Sequence, residues 1–308
     1  MTETIPVAVP RKGRPLEAVL ERLAARTREL DETAPFDDVA DHVISTLRYE
    51  KAITKGNQST DETVYERLAS YSDLAADEAP EFTLLRDDRE AMPRRIVFDS
   101  VTVPVGDVEV QLVGREEPFR ALRKHEFALG FDSADLVLEE VVELREEPLV
   151  SIADLNARIS PRDTDVRVVT GLGDTVYHTL LVHPEMREAI PDVPLGHEFV
   201  EAHEGPLCIS PRYERLVEAI LGTEAIEDVT FCYPNESEEE EAAIADVGLG
   251  VYLTVTGSTA REYGLQLGEQ LFPSETVLLE NHKEATTEAA RKAKALFEAP
   301  KLDTELSV

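Results

Sequence analysis

Short apolar runs of strand length alternate with amphipathic helical patterns along this chain, and that alternation restricts its fold more than any other feature. Ile5–Val9 is an apolar run ended by Pro10, and after it Leu16, Val19, Leu20 and Leu23 fall on one face of a helix. Strand-like runs return at Arg95–Phe98, Val108–Val113 and Phe127–Phe131, with a helix through Phe119 and Leu122 before the last. A second cluster holds Val166–Thr170, Tyr177–Val182, Pro206–Ile209, Val229–Tyr233, Val251–Val255 and Thr276–Glu280. Its helices include one with Tyr213, Leu216, Val217, Ile220 and Leu221 on one face, stopping at Gly222, and a last one from about Lys283 to Phe297. Strands alternating with helices in two clusters predict an α/β protein of two doubly wound lobes, with the cleft between them as the ligand site.

The first lobe is expected to comprise residues 1–146 and 273–308, and the second 147–272, with chain crossings near Val141–Pro148 and Gly268–Ser274. Residues 31–93 break the pattern of the first lobe. They are charged and helix-patterned, around Phe36–Ile44 and Glu62–Leu68, and show no clear strand, which predicts a helical insertion, read as a surface excursion or a lid.

Charge excludes two classes of partner. Against 63 Asp and Glu stand 31 Lys and Arg, a formal charge of −32 that repels nucleic acid and anionic membranes. Eight of the basic residues are lysines and the rest arginines, a balance that looks like the proteome of a salt-loving archaeon or bacterium. Cys208 and Cys232 each lie in an apolar run and read as small core residues. With no signal-like opening and no apolar run long enough to span a bilayer, the expected location is the cytoplasm, and a secreted solute-binding protein is disfavoured.

Two turns carry candidate chemistry. Arg11-Lys12-Gly13-Arg14 lies at the carboxyl end of the first strand, where open α/β sheets bind ligands. Thr256-Gly257-Ser258-Thr259 follows a strand and opens a helix, so it presents backbone N–H groups and hydroxyls in the way a phosphate requires, although the same residues also serve as an ordinary helix cap. The pairs His178 with His183, His197-Glu198 and His203-Glu204 have no metal-site spacing and read as core or solvated histidines.

Taken in order, these segments resemble the catalytic part of the ATP phosphoribosyltransferase family, the first enzyme of histidine biosynthesis. That family opens with a strand and a Pro-Lys-Gly-Arg-Leu-like turn, matched by Pro10-Arg11-Lys12-Gly13-Arg14 with one residue inserted. Its arginine-acidic-proline segment is matched by Arg115–Pro118, and its Asp-Leu-Gly-Ile strand with a following Gly-x-Asp by Ala128–Asp135. A Thr-x-Tyr helix start is matched loosely by Ser210–Tyr213. Val255–Ala260 stand for the ribosyl-phosphate loop, and Tyr263-Gly264-Leu265 for the Asn-Gly-Leu that closes it.

The resemblance implies two lobes like those of type II periplasmic binding proteins, with phosphoribosyl diphosphate and a purine nucleotide or base bound between them and ribose 5-phosphate transferred with release of diphosphate. The substrate-binding residues it implies are Lys12, Gly13, Arg14, Ser210, Tyr213, Thr256, Gly257, Ser258 and Thr259. It also implies Mg2+, for which Asp132 and Asp135 are the candidate ligands, while the catalytic residues and the assembly, with a homodimer as one option, stay open. The departures fall on carboxylates. Gly248 and Tyr252 stand where the family has aspartates before the loop, and Ala128 and Ser133 replace the aspartate and glycine of the earlier strand. A non-catalytic cytoplasmic paralogue that senses a phosphorylated small molecule is therefore the alternative reading.

A charge of −32 carries its own prediction. Screening lengths shrink from about 10 Å at 0.1 M salt to about 3 Å at 1 M, so repulsion between surface carboxylates falls as salt rises. The melting temperature is expected to climb between roughly 0.1 and 2 M KCl, and a flat or falling curve in a thermal scan would refute the salt-adapted reading.

Overall fold

The computed structural model describes residues 3–30, 36–72, 79–86, 94–106, 108–235 and 239–298. In chain order the strands are β1 (Glu3–Pro10), β2 (Glu81–Arg86), β3 (Arg94–Val105), β4 (Val108–Arg115), β5 (Leu129–Ser133), β6 (Val166–Gly171), β7 (Val176–Val182), β8 (Gly205–Ile209), β9 (Val229–Cys232), β10 (Leu249–Thr254), β11 (Gln266–Ser274) and β12 (Thr276–Asn281). The helices are α1 (Arg14–Leu30), α2 (Phe36–Thr54), α3 (Val64–Tyr71), α4 (Pro118–Arg123), α5 (Ala134–Val141), α6 (Pro184–Ala189), α7 (His197–Glu201), α8 (Glu214–Leu221), α9 (Glu240–Val247), α10 (Ser258–Glu262) and α11 (Glu288–Phe297). Of the acidic run from Glu236 to Glu241, residues 236–238 lie outside the described residues.

The chain divides into two α/β units. Residues 1–132, 165–174 and 276–308 make the first, and residues 133–164 and 175–275 the second. The chain thus changes unit at four places, where the sequence suggests two. The reason is strand pairing: β6 pairs antiparallel with β12, which draws residues 165–174 into the first sheet, while α5 packs with α8 in the second unit.

The first unit holds a sheet in the order β2-β3-β4-β1-β5-β12-β6, and the second a sheet in the order β11-β7-β10-β8-β9. In the first, β1 lies between the parallel strands β4 and β5, followed by β12 and its antiparallel neighbour β6. In the second, β8 lies between the parallel strands β9 and β10, followed by β7 and its antiparallel neighbour β11. With β2 and β3 left aside, both sheets share one strand order, that of type II periplasmic-binding-protein lobes, which is the fold class read from the sequence.

Residues 31–93 contribute α2 and α3, as the periodicity predicts, and also β2, which the periodicity does not show. That strand is short, lies at the sheet edge and pairs antiparallel with β3 only, so a single buried side chain, Phe82, marks it. Leu16, Val19, Leu20 and Leu23 of α1 and Val43, Ile44 and Leu47 of α2 enter one apolar core with Val7, Val9 and Phe131. Phe297 of α11 closes it edge-on against Phe131, with ring centroids 4.8 Å apart. A smaller core in the second unit gathers Leu181, Cys208, Ile244 and Leu265. Cys208 is buried and Cys232 half-buried, and neither is in a disulfide. Among the described residues no helix is long and apolar enough to cross a membrane.

One polar cluster fixes the insertion. Glu50 on α2 and Arg67 on α3 are both buried, and the guanidinium meets the carboxylate twice, Nε to Oε1 at 2.7 Å and Nη2 to Oε2 at 3.1 Å. The Tyr71 hydroxyl donates to the same carboxylate at 2.9 Å, and Arg67 Nη1 donates to the Glu62 carbonyl at 2.8 Å. A reciprocal cap between Thr63 and Glu66 starts α3. Burial, then the bond to Glu50, pushes the Tyr71 phenol well above its usual range, so it stays a donor. Removing one partner strands a buried charge: Arg67→Ala is expected to lower unfolding free energy by about 3–5 kcal/mol, measured by denaturant titration in high salt. A loss below about 1 kcal/mol would mean that the pair is solvated.

Candidate functional site

The turn between β1 and α1 lies in the first unit. Pro10 ends the strand, Gly13 takes a positive φ of 82° that favours glycine, and its carbonyl accepts the first helical bond from Glu17 N at 3.2 Å. Arg11 is pulled away from the turn: its Nη1 donates to Asp99 at 3.1 Å and its carbonyl accepts from Phe98 N at 3.0 Å. Gly114 on β4 makes room for it, since a Cβ there would meet the Phe98 carbonyl at 2.5 Å and Arg11 Cγ at 3.0 Å. Arg14 Nη1 donates to the Asp174 carboxylate at 2.7 Å and to the Asp174 carbonyl. That carboxylate also accepts from Thr276 N and Oγ1, both at 2.8 Å, so the guanidinium is held by a fixed partner. Asp174 and Thr276 carry no signal in the sequence, because their link to Arg14 exists only once β6 and β12 have paired.

Beside this turn is a cavity of about 570 Å3, entirely within the first unit. Lys12, Gly13 and Arg14 line it together with Arg48, Lys51 and Lys55 of the insertion and Arg95 of β3. Its two carboxylates both have cationic partners: Arg48 reaches Glu17 at 2.6 Å, and Glu50 is held by Arg67. The sequence reading finds the turn but not the wall that faces it. A signal for that wall exists in α2 and just past its end, where Arg48, Lys51 and Lys55 recur at helical spacing.

The Thr256–Thr259 turn lies in the second unit, after β10 and at the start of the five-residue α10. Thr256, Ser258 and Thr259 are exposed, while Gly257 is buried with a φ of 67° and precedes α10 without a side-chain cap. Thr256 Oγ1 donates to Ser258 Oγ at 3.1 Å, and Arg261 Nη1 donates to the Thr256 carbonyl at 2.9 Å. A Cβ at Gly257 would meet Leu267 Cδ1 at 2.5 Å, so this glycine serves packing as well as conformation.

Ser210 and Tyr213, also in the second unit, bracket a short 3-10 turn in which Tyr213 N donates to the Ser210 carbonyl at 2.9 Å. The Tyr213 ring stands edge-on to His178 at 5.3 Å. His178 is buried, and its Nε2 lies 3.1 Å from Asp135 Oδ1 without hydrogen-bonding alignment. Asp135 also accepts from the Ser274 hydroxyl at 2.9 Å. Asp132, in the first unit, accepts from Phe119 N at 2.9 Å at the start of α4. Both candidate magnesium ligands are thus engaged in holding the fold, and among the described residues no group of three His, Cys, Asp or Glu could hold a metal ion.

Tyr252, which the sequence resemblance sets opposite an aspartate, is half-buried on β10. Burial, reinforced by Glu240 and Glu241, pushes its phenol well above the usual range, so it is neutral. Gly248, the other such position, ends α9 with a φ of 99°.

Across residues 1–308 the chain matches the family model described as Halobacterial ATP phosphoribosyltransferase. The chain belongs to that family. No curated protein matches it. Among solved structures, the ATP phosphoribosyltransferase HisG:HisZ complex from Thermotoga maritima is similar at 13% identity and a TM-score of 0.38, covering 95% of this chain and 94% of that one. YhfZ from Shigella flexneri is similar at 10% identity and a TM-score of 0.43, covering 96% and 84%. The regulatory domain of MetR, a LysR family regulator from N. meningitidis, is similar at 11% identity and a TM-score of 0.31, covering 61% and 79%.

The geometry of the Thr256 turn yields a stability prediction. Gly257→Ala must place a Cβ against Leu267 at positive φ, which is expected to cost at least about 1–2 kcal/mol in denaturant unfolding. Unchanged stability would mean that the turn relaxes freely. Binding at this turn is therefore better tested at Thr259, which is exposed.

Proposed function

We propose that this member of the halobacterial ATP phosphoribosyltransferase family binds phosphoribosyl diphosphate and a purine nucleotide and transfers ribose 5-phosphate to the purine. The observation that carries the reading, beside family membership, is the cation-lined cavity at Lys12–Arg14 in a chain of charge −32. In the reaction the bond from C1 to the diphosphate oxygen breaks, the purine nitrogen forms the new bond to C1, and the diphosphate leaves with the electron pair. Fixed cations favour the charge that builds on the leaving group, and Arg14, oriented by Asp174, is preorganised for that task. Lys12 adds a second positive charge at the same turn. The Thr256–Thr259 turn is proposed to receive the ribose 5-phosphate through backbone N–H groups and hydroxyls. Ser210 and Tyr213 are proposed to line the substrate region of the second unit. Salt adaptation and a cytoplasmic setting accord with the charge but are likewise proposals.

A non-catalytic sensor is the second reading, favoured by Tyr252 and Gly248 at the positions of the family's aspartates. One assay separates the two: diphosphate release from phosphoribosyl diphosphate and ATP in molar KCl with Mg2+ supplied. Release is expected, and binding without release would favour the sensor. Thr259→Ala should weaken binding of phosphoribosyl diphosphate roughly 10- to 150-fold, as loss of one charge-assisted hydrogen bond does, with little change in melting temperature. Parental affinity in this variant would reduce the turn to a helix cap.

A further inference from the structure

We infer that the insertion turns the basic turn of the first unit into a site for an extended polyphosphate anion, and that Lys51 and Lys55 set its preference for several phosphate groups over one. The inference rests on the reading of Lys12–Arg14 as an anion-holding turn and adds the ligand's charge class and the residues that select it.

Sign inversion is the first argument. In the whole chain acidic residues outnumber basic ones 63 to 31, yet this cavity gathers Lys12, Arg14, Arg48, Lys51, Lys55 and Arg95 against Glu17 and Glu50 in its lining and Asp174 beside Arg14. Convergence is the second. A lysine in the last turn of a helix is favoured by the macrodipole alone, and Lys51 occupies that position on α2. Lys12 in the β1–α1 turn and Arg95 on β3, on two other elements, line the same space.

Neutralisation of the acids is the third. Glu50 is committed on both oxygens to Arg67 and Tyr71, and Glu17 accepts from Arg48. The carboxylates are therefore tied to partners, while Lys51 and Lys55 are exposed on the wall. A single phosphate is satisfied by two or three donors. Cations spread over a turn, a helix and a strand suit a longer chain of phosphates, and the cavity, at about 570 Å3, is of the size that holds small ligands.

The probe is inorganic triphosphate, compared with orthophosphate by calorimetry at one ionic strength and without divalent cations. Triphosphate is expected to bind at least about tenfold more tightly, and the double variant K51E/K55E to lose at least about tenfold of that affinity. K51Q/K55Q, which removes charge without reversing it, should show a smaller loss in the same direction and serves if the reversal fails to fold. Equal affinity for the two anions would overturn the inference, as would parental triphosphate binding in both lysine variants. The two readings fail separately: absent diphosphate release with triphosphate selectivity intact removes the transferase, while release without that selectivity removes this inference.

Discussion

The carboxylate of Asp174 is the point on which the first unit turns. It accepts from Thr276 N and Oγ1 at the start of β12 and from Arg14 at the start of α1, joining three segments far apart in the chain. The backbone reinforces the join, since Leu172 N donates to the Thr276 carbonyl at 2.9 Å and Arg22 Nη2 donates to the Leu172 carbonyl at 3.0 Å. A structural anchor and a candidate anion-binding arginine are therefore the same interaction. The arginine is fixed because the sheet needs it, and its fixed position is what suits it to electrostatic stabilisation.

Charge placement in this protein is local. A formal charge of −32 sets the average field, but the cavity beside Lys12 has a cationic lining that the average conceals. The buried Glu50–Arg67 pair helps produce that contrast, because it ties the acidic member of the wall to an arginine of α3. Desolvating two charges is costly, and the bidentate geometry with the Tyr71 bond offsets that cost. What the pair supplies in return is placement of α2, and with it of Arg48, Lys51 and Lys55.

Local pattern is the legible part of this sequence. The helical faces of α1 and α8 and most strands can be read from periodicity, because each reports its own burial. The edge strand β2 is not legible, since only Phe82 is buried on it, and β11 escapes notice because its apolar residues do not alternate regularly. The boundaries between units cannot be read from local pattern either: they depend on which strand β12 pairs with, a long-range choice. At the candidate site the two turns are visible as glycine-containing segments, whereas Asp174 and the cationic wall require the tertiary structure. Gly257 shows the limit from the other side, because a glycine read as a phosphate contact is also required by Leu267.

The resemblance drawn from the sequence sets Tyr252 opposite an aspartate, and the structure gives that position a physical character. Its phenol is neutral because burial and two nearby glutamates, Glu240 and Glu241 in the first turn of α9, oppose ionisation. A neutral phenol can donate its proton or accept at its oxygen. An aspartate in the same place would also accept, but with a full negative charge and a capacity for metal that the phenol lacks. Replacing it retains one polar contact and removes the local charge, so any role for magnesium near β10 would have to be met by other oxygens.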